Sequence, residues 1–164
     1  MKFDHVRACT RIDSRLGPIV LAASARGLCG LWFDGQKHQP DASTWPKDDA
    51  HPILCAAAKQ VLAYLDGDAR HFDVTLDLSA GTPFQQQVWQ VLRAIPRGAT
   101  LGYADVSRHI GQPSAARAVG TAIGRNPISI IVPCHRVLGA SGALTGYAGG
   151  LQRKSALLSL EGVL

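Results

Sequence analysis

Short apolar runs alternate with turn residues through the first half of the chain, a pattern typical of antiparallel strands. Three runs have the length of a strand: Val6–Ile12, Ile19–Ser24 and Leu28–Phe33. The apolar positions of residues 52–65 instead recur at helical spacing, and residues 71–78 alternate apolar and polar side chains like a half-buried strand. These patterns predict a small amino-terminal α/β domain, residues 1–80, with an antiparallel sheet and one helix.

Beyond residue 81 the apolar spacing becomes mainly helical. Thr82 is suited to an N-cap and Pro83 to the first helical position. Four helices are predicted: 84–94, 103–110, 115–124 and 151–160. A turn of three to four residues containing Gly111 joins the second to the third, as in a helix-turn-helix. The predicted fold class is α+β, with a mostly helical, winged helix-turn-helix-like domain over residues 81–164.

Charge is distributed unevenly between the two halves. Residues 1–80 contain nine Lys/Arg and ten Asp/Glu, a net charge of −1, whereas residues 81–164 contain eight Lys/Arg and two acids, a net charge of +6. A basic half favours a polyanionic partner, most simply nucleic acid. A general solubilising charge is the alternative.

Composition also narrows the compartment in which the protein is expected. No stretch approaches the ~18 uninterrupted apolar residues of a membrane span, and the first residues do not resemble a secretory signal. The four cysteines, Cys9, Cys29, Cys55 and Cys134, are irregularly spaced without a Cys-x-x-Cys pair, as is typical of reduced thiols. We therefore expect an intracellular, cytoplasmic protein without membrane association.

The segment Pro133–Val137 places a thiol, Cys134, beside an imidazole, His135, after an apolar run that is predicted as a strand, residues 128–132. A free thiol titrates near ~8.5 and is a weak nucleophile until a base or a positive field generates the thiolate. Glu161 can orient His135 as the third member of a relay, although on an extended segment His135 would not contact the thiol directly. A structural core cysteine is the alternative.

Two further features surround this segment. Asn126 precedes a proline, so it ends the preceding helix and is suited to bracing the turn that follows, or it is an ordinary C-cap. The predicted helix 115–124 carries Arg117 among small side chains: Ser114, Ala115, Ala116, Ala118 and Thr121. Small side chains let a helix approach a duplex closely and make phosphate and shape contacts, but they equally suit tight helix packing.

The order and spacing of several motifs resemble the methylated-DNA–protein-cysteine methyltransferases, which are suicide DNA-repair proteins for O6-alkylguanine. The resemblance covers residues 82–162, and the amino-terminal half matches more weakly. The matching motifs are Arg117–Gly120, Asn126-Pro127, Pro133–Val137, Gly146–Gly150 and Glu161-Gly162, together with Tyr103 and Lys154.

The resemblance implies that Cys134 accepts the methyl group of O6-methylguanine from double-stranded DNA, irreversibly and once, after the base has flipped out. His135 would act through a water, Glu161 would orient His135, and Asn126 would brace the turn. The helix would enter the minor groove, with Arg117 filling the gap left by the flipped base. The flipped guanine would contact Tyr103, Val137, Tyr147 and Ala148. The free protein is expected to be a monomer that needs no cofactor.

Two positions depart from patterns found within the family. Ala148 stands where some members have a serine, which leaves only its backbone N–H to hold the guanine oxygen. Some members also bind a structural zinc, and here His5 and Cys29 are available but Ser24 replaces a thiol, so no metal is expected, with Cys9 as a minor alternative ligand. Two other functions compete with this one. A Cys-His hydrolase would not explain the basic half, and a DNA-binding regulator would give Cys134 no role.

Overall fold

The computed structural model describes residues 1–164, which form two compact units. Unit 1 contains Met1–Ala80 and Pro127–Ile131, and unit 2 contains Gly81–Asn126 and Val132–Leu164. The elements in chain order are β1 (Val6–Ile12), β2 (Ile19–Ser24), β3 (Gly27–Phe33), α1 (Pro52–Asp66), α2 (Pro83–Arg93), β4 (Leu101–Gly102), α3 (Tyr103–His109), α4 (Ala116–Gly124), β5 (Val137–Leu138) and α5 (Leu151–Leu160). None of these helices is long and apolar enough to cross a membrane.

Unit 1 is an antiparallel sheet in the order β1-β2-β3 with α1 packed against it. The three predicted strands and the predicted helix are confirmed, because their hydrophobic periodicity matches the faces that they bury. Every residue of β3 is buried, and the buried positions of α1 are Leu54, Ala57, Val61, Tyr64 and Leu65. Gly67 ends α1 with a left-handed backbone, φ 88°, which a glycine adopts without a steric penalty.

The predicted strand over residues 71–78 is wrong. These residues are extended, but they pair with β3 only at Leu28, whose N–H donates to Thr75 and whose carbonyl accepts from Asp77, at 2.9 and 2.8 Å. The edge of β3 is shared, since Leu31 pairs with Pro127 and Ser129 through two bonds of 2.9 Å. Each segment therefore covers part of an edge that would otherwise be open, and neither pairs far enough to be a strand.

The predicted strand over residues 128–132 is also wrong. Ile128 bridges to Leu31, and the chain then turns, with Ile130 in a left-handed conformation at φ 72°. That conformation is costly for a β-branched residue, by about 1–3 kcal/mol. The apolar run reflects burial of a turn rather than a strand, a distinction that a short apolar sequence does not carry.

Unit 2 is mainly helical, and its first helix begins as predicted. Thr82 caps α2 in a capping box with Gln85, and Trp89 of α2 donates its indole N–H to the Ala122 carbonyl of α4 at 2.9 Å. The helices α3 and α4 are joined by residues 110–115, a longer connection than predicted. A short parallel pair, Leu101 with Val137, places the segment after Cys134 beside the start of α3.

A buried carboxylate, Asp77, anchors the extended segment of unit 1. It accepts hydrogen bonds from Ser24 Oγ at 2.6 Å and from Arg26 Nη2 at 2.8 Å. Burial raises the pKa of Asp77, but hydrogen bonds from Ser24, Ser79 and Arg26 outweigh it and hold the pKa well below the usual aspartate range. The ionised form therefore stabilises this unit.

Asp77→Asn is expected to lower the free energy of unfolding by about 2 kcal/mol at neutral pH, because a charged acceptor is lost. Since the folded pKa is depressed, the carboxylate contributes above the ordinary aspartate pKa of about 4, and this contribution fades as the pH falls further. Urea unfolding at several pH values should show wild type and variant converging below about pH 4. A gap of constant size would assign the loss to packing alone, and Asp66→Asn, at an exposed carboxylate, is the control.

Candidate active site

Cys134 lies in a short 3₁₀ helix, Cys134–Arg136, and not at the end of an extended strand as predicted. Its N–H donates to the Val132 carbonyl at 2.8 Å, and only 3% of the residue is exposed. A 3₁₀ helix rotates by about a third of a turn per residue, so consecutive side chains diverge. The sulfur of Cys134 accepts a hydrogen bond from Asn126. The side chains of His135 and Arg136 leave the helix in different directions, but both bind the Glu161 carboxylate.

The sulfur of Cys134 is held by the chain's only asparagine. Asn126 Nδ2 donates to Sγ at 3.1 Å and to the Val132 carbonyl at 2.8 Å, which uses both of its N–H groups. The bond to Val132 also links the two residues that flank the segment Pro127–Ile131. Burial raises the pKa of the Cys134 thiol to about 11, and the Asn126 hydrogen bond, the Lys154 charge and nearby backbone N–H groups act in the opposite direction.

His135 and Glu161 form a buried pair. His135 Nε2 lies 2.7 Å from Glu161 Oε1, and both side chains are fully buried. Burial lowers the pKa of His135, and Glu161 partly offsets that effect. The other ring nitrogen, Nδ1, is buried without a hydrogen-bond partner, and the ring makes no bond to the Cys134 sulfur. Burial therefore favours the neutral imidazole, in which Glu161 fixes Nε2 and Nδ1 has no hydrogen-bond partner.

Arg136 completes this cluster from the opposite side of Glu161. Its Nε donates to Oε2 at 2.8 Å and its Nη2 to Oε1 at 3.0 Å, while Nη1 donates to the Ile95 carbonyl at 2.6 Å. Arg97 donates to the carbonyl of Leu160, the last residue of α5. Two arginines thus fix the end of the helix at which Glu161 stands.

Lys154 is a second buried cation of the site. It is 0% exposed, and its Nζ donates to the carbonyls of Val137 at 2.5 Å, Thr145 at 2.7 Å and Gly146 at 3.4 Å. Burial lowers its pKa to about 8, and Cys134 opposes that shift. Lys154 thereby connects the strand after the thiol to the segment that precedes Tyr147.

The predicted guanine-contacting residues occupy different environments. Tyr103 is half-buried, and a Cβ added to Gly146, which has φ +49°, would lie 3.2 Å from its hydroxyl. Burial raises the pKa of Tyr103. Tyr147 is half-buried, as is Ala148, and its ring meets that of His135 edge-on with centroids 6.4 Å apart. Val137 is fully buried. Its backbone carbonyl accepts a hydrogen bond from Lys154.

The helix α4 presents a small, polar outer face. Ser114, Arg117, Ala118 and Thr121 are exposed, and Ala115 and Ala116 are half-buried. The inner face packs through Val119, Ala122 and Ile123. The small residues of this helix therefore have two different environments: Ala122 packs in the interior, and Ala118 is exposed to solvent. Arg117 forms no ion pair, unlike Arg108 of α3, which pairs with Asp105.

A groove of about 620 Å³ adjoins these elements in unit 2. It is lined by residues 100–105 and 138–142 with Arg108 and Ala116. All eight basic residues and both acids of the carboxyl-terminal half lie in unit 2, because residues 127–131 carry no charge, so this unit has a net charge of +6. The groove and the open face of α4 thus belong to a strongly basic unit.

The residues considered for a metal do not fit one. Ser24 is bonded to Asp77, and the Cys29 thiol donates to the Ala22 carbonyl at 3.4 Å. Burial raises the pKa of Cys29 to about 12, which opposes the thiolate that zinc requires. Cys9 contacts the Trp45 carbonyl, and no cluster of three or more His, Cys, Asp or Glu side chains is arranged to hold an ion.

Two models of one protein family match this chain. The profile of the 6-O-methylguanine DNA methyltransferase DNA binding domain matches residues 83–163, and that of the family's ribonuclease-like domain matches residues 8–78. The chain belongs to the 6-O-methylguanine DNA methyltransferase family.

Relatives within this family match over nearly the whole chain. The methylated-DNA–protein-cysteine methyltransferase of Mycobacterium tuberculosis is 51% identical over 150 residues, 92% of this chain and 89% of the relative. That of Mycobacterium leprae is 48% identical over 154 residues, 93% of this chain and 91% of the relative. The crystal structure of Mycobacterium tuberculosis OGT in complex with DNA superposes with a TM-score of 0.88 at 49% identity, covering 94% of this chain and 93% of that one.

Membership of this methyltransferase family favours neither alternative function. Both matched domains are those of a methyltransferase family, and the relatives are named methyltransferases. Neither a thiol hydrolase nor a regulator without chemistry is supported by these matches. No role was predicted for Arg136 or Lys154 from the sequence, although both are buried near the thiol. Their positions inside two motifs, in a half with only two acids, were the available signal.

Asn126→Ala is expected to lower the free energy of unfolding by about 2 kcal/mol, because the buried Val132 carbonyl loses one of its two donors and the Cys134 sulfur loses its hydrogen bond from the amide. Asn126→Asp keeps the size of the side chain but removes both donors and places a charge beside the sulfur, which should raise the pKa of Cys134 further. Denaturant unfolding and the pH dependence of Cys134 alkylation by a small electrophile measure the two effects. Wild-type behaviour of Asn126→Asp in the alkylation assay would contradict a direct role at the sulfur.

Proposed function

We propose that this protein transfers the alkyl group from O6 of guanine in double-stranded DNA to the sulfur of Cys134, once per molecule. The observation that carries the proposal is the buried thiol that accepts from Asn126 beside the His135–Glu161 pair. Such a site is suited to generating a thiolate only at the moment of reaction. The relatives, which are named methylated-DNA–protein-cysteine methyltransferases, supply the substrate class.

The reaction is a displacement at the alkyl carbon. The thiol proton passes through a bridging water to His135 Nδ1, and the resulting imidazolium is stabilised by Glu161. The sulfur electron pair forms the S–C bond while the C–O6 bond breaks, and its electrons move to the guanine oxygen. Donation from the Tyr103 hydroxyl and the Ala148 backbone N–H would stabilise that charge. The guanine anion takes a proton from water and the His135 imidazolium returns the thiol proton to water, so that the products are the thioether and neutral guanine.

The product accounts for the single turnover. A thioether has no easily displaced group and no acidic proton, so hydrolysis does not regenerate the thiol. The alkylated Cys134 therefore ends the activity of the chain. Four free cysteines, Cys134 among them, support a reducing, cytoplasmic setting for this chemistry.

The basic unit 2 would bind the duplex through α4. Its exposed small residues permit close approach in the minor groove, and the unpaired Arg117 can enter the space that the extruded base leaves. Extrusion costs roughly a few kcal/mol, and a side chain that replaces the lost stacking reduces that cost. The base would then lie between Tyr103 and the segment containing Tyr147 and Ala148.

Cys134→Ser is expected to abolish transfer while the fold is retained, because a hydroxyl remains protonated at neutral pH and is a poor nucleophile here. Intact-protein mass spectrometry after mixing with an oligonucleotide duplex containing O6-methylguanine measures the transfer. Wild type should gain one methyl group, and Cys55→Ser, at an exposed free thiol, should gain it equally. A methyl group on Cys134→Ser would remove Cys134 from its role.

Arg117→Ala is expected to slow repair of O6-methylguanine in duplex DNA far more than reaction with the free alkylated base, which requires no flipping. A residue that holds only a phosphate would instead weaken binding to all duplexes alike and reduce the salt slope by about one. The two second-order rate constants are measured side by side, with Arg125→Ala, at an exposed arginine that ends the same helix, as the control. Equal losses on both substrates would exclude the stacking role.

A further inference from the structure

Two neighbouring side chains donate hydrogen bonds to Glu161. Arg136 occupies both of its oxygens, at 2.8 Å and 3.0 Å, and His135 Nε2 approaches Oε1 at 2.7 Å. A guanidinium has five N–H groups and no acceptor, and it stays charged. Arg136 therefore accepts nothing from Glu161, and its charge favours the ionised carboxylate in a place where burial alone would favour the neutral acid.

The ionised state of Glu161 has a consequence for the imidazole. A carboxylate can only accept, so the hydrogen of neutral His135 must lie on Nε2, and Nδ1 must hold a free electron pair. A protonated Glu161 could instead donate to Nε2. The imidazole would then carry its hydrogen on Nδ1, and that nitrogen could not take a proton from the thiol.

We propose that Arg136 is a positioning residue of the alkyl-acceptor site, which fixes the His135 tautomer by keeping Glu161 ionised and oriented. The inference rests on the proposed transfer to Cys134 and adds to it a reason for the arginine that follows the Cys-His pair. Arg136 acts through Glu161 and His135 and does not itself touch the reacting atoms.

The other groups around the pair do not supply this function. Lys154 binds three backbone carbonyls and makes no bond to Glu161. Tyr147 meets the His135 ring edge-on, and the Cys134 thiol is neutral in the resting site. Arg97 binds the neighbouring Leu160 carbonyl. Arg136 forms an ion pair with the Glu161 carboxylate, with Nε 2.8 Å from Oε2.

The first test measures the tautomer in the folded wild-type protein. Imidazole ¹⁵N shifts of histidine-labelled protein distinguish a hydrogen on Nε2 from one on Nδ1, and His135→Gln identifies the signal among six histidines. We expect the Nε2–H form from about pH 6 to about pH 8.5, near the ordinary histidine range. A hydrogen on Nδ1 would overturn the proposal. This readout is independent of transfer, so a protein that fails to accept methyl groups would refute the proposed function and leave this result standing.

The second test compares pH profiles of methyl transfer for Arg136→Gln and Arg136→Lys. In Arg136→Gln, Glu161 binds a proton more readily, so the rate should fall at least ~10-fold near pH 6.5 and recover in part near pH 8.5. Arg136→Lys keeps a positive charge beside Glu161, so its rate of methyl transfer near pH 6.5 should lie between those of the wild type and Arg136→Gln. Circular dichroism and the Tm establish the folded fraction at each pH.

Arg97→Gln is the matched control, because it removes an arginine that donates to the Leu160 carbonyl at the same helix end. It should lower the Tm and keep the wild-type pH profile and tautomer. A purely structural Arg136 would give the same result as this control: a loss that follows the folded fraction at every pH with Nε2–H retained. That outcome would overturn the proposal.

Discussion

The carboxylate of Glu161 accepts hydrogen bonds from two consecutive side chains of the 3₁₀ helix that contains Cys134. Removing a carboxylate from water costs several kcal/mol, and the cost is recovered only when its partners are all in place. The end of α5, the 3₁₀ helix and the Ile95 carbonyl must therefore assemble together, since Arg136 binds the carbonyl with its remaining nitrogen. The orientation of the thiol follows from this assembly.

The buried side chains of the site carry unequal charge. With Arg136 and Lys154 charged, Glu161 ionised and His135 in the neutral form that burial favours, the site has one excess positive charge while Cys134 is a thiol. A thiolate would balance that excess, although burial itself opposes ionisation. The two tendencies together suit a nucleophile that is protected at rest and ionises when His135 takes its proton.

Much of the fold could be predicted because local signals determine it. The strands β1 to β3 are short apolar runs bounded by turn residues, the helices α1 and α2 have apolar residues at helical spacing, and Thr82 with Pro83 marks a helix start. The segments 71–78 and 128–132 were mistaken for strands because pairing depends on how much of the β3 edge is available, which only the tertiary structure decides. Short apolar runs indicate burial, and burial does not specify backbone conformation.

The candidate site was predictable in part for a related reason. A thiol next to an imidazole is unusual in any sequence, whereas arginine and lysine are ordinarily exposed, so nothing local distinguishes Arg136 or Lys154 from surface residues. Their burial depends on carbonyl oxygens contributed by distant positions such as Ile95 and Thr145. Every residue type has a backbone carbonyl, so a side chain whose partners are carbonyls cannot be matched to them from the sequence.

The helix α5 also sets a limit on how this protein can change over evolutionary time. Lys154 in its first part and Glu161 at its end are seven positions apart, close to two full turns at about 3.6 residues per turn, so they lie on one side of the helix with Leu157 and Leu158. Inserting or deleting one residue between them would rotate one relative to the other by about 100°. Exposed positions of α5 are free to drift in sequence, but its length is not, and families that retain this site should show substitutions there without gaps.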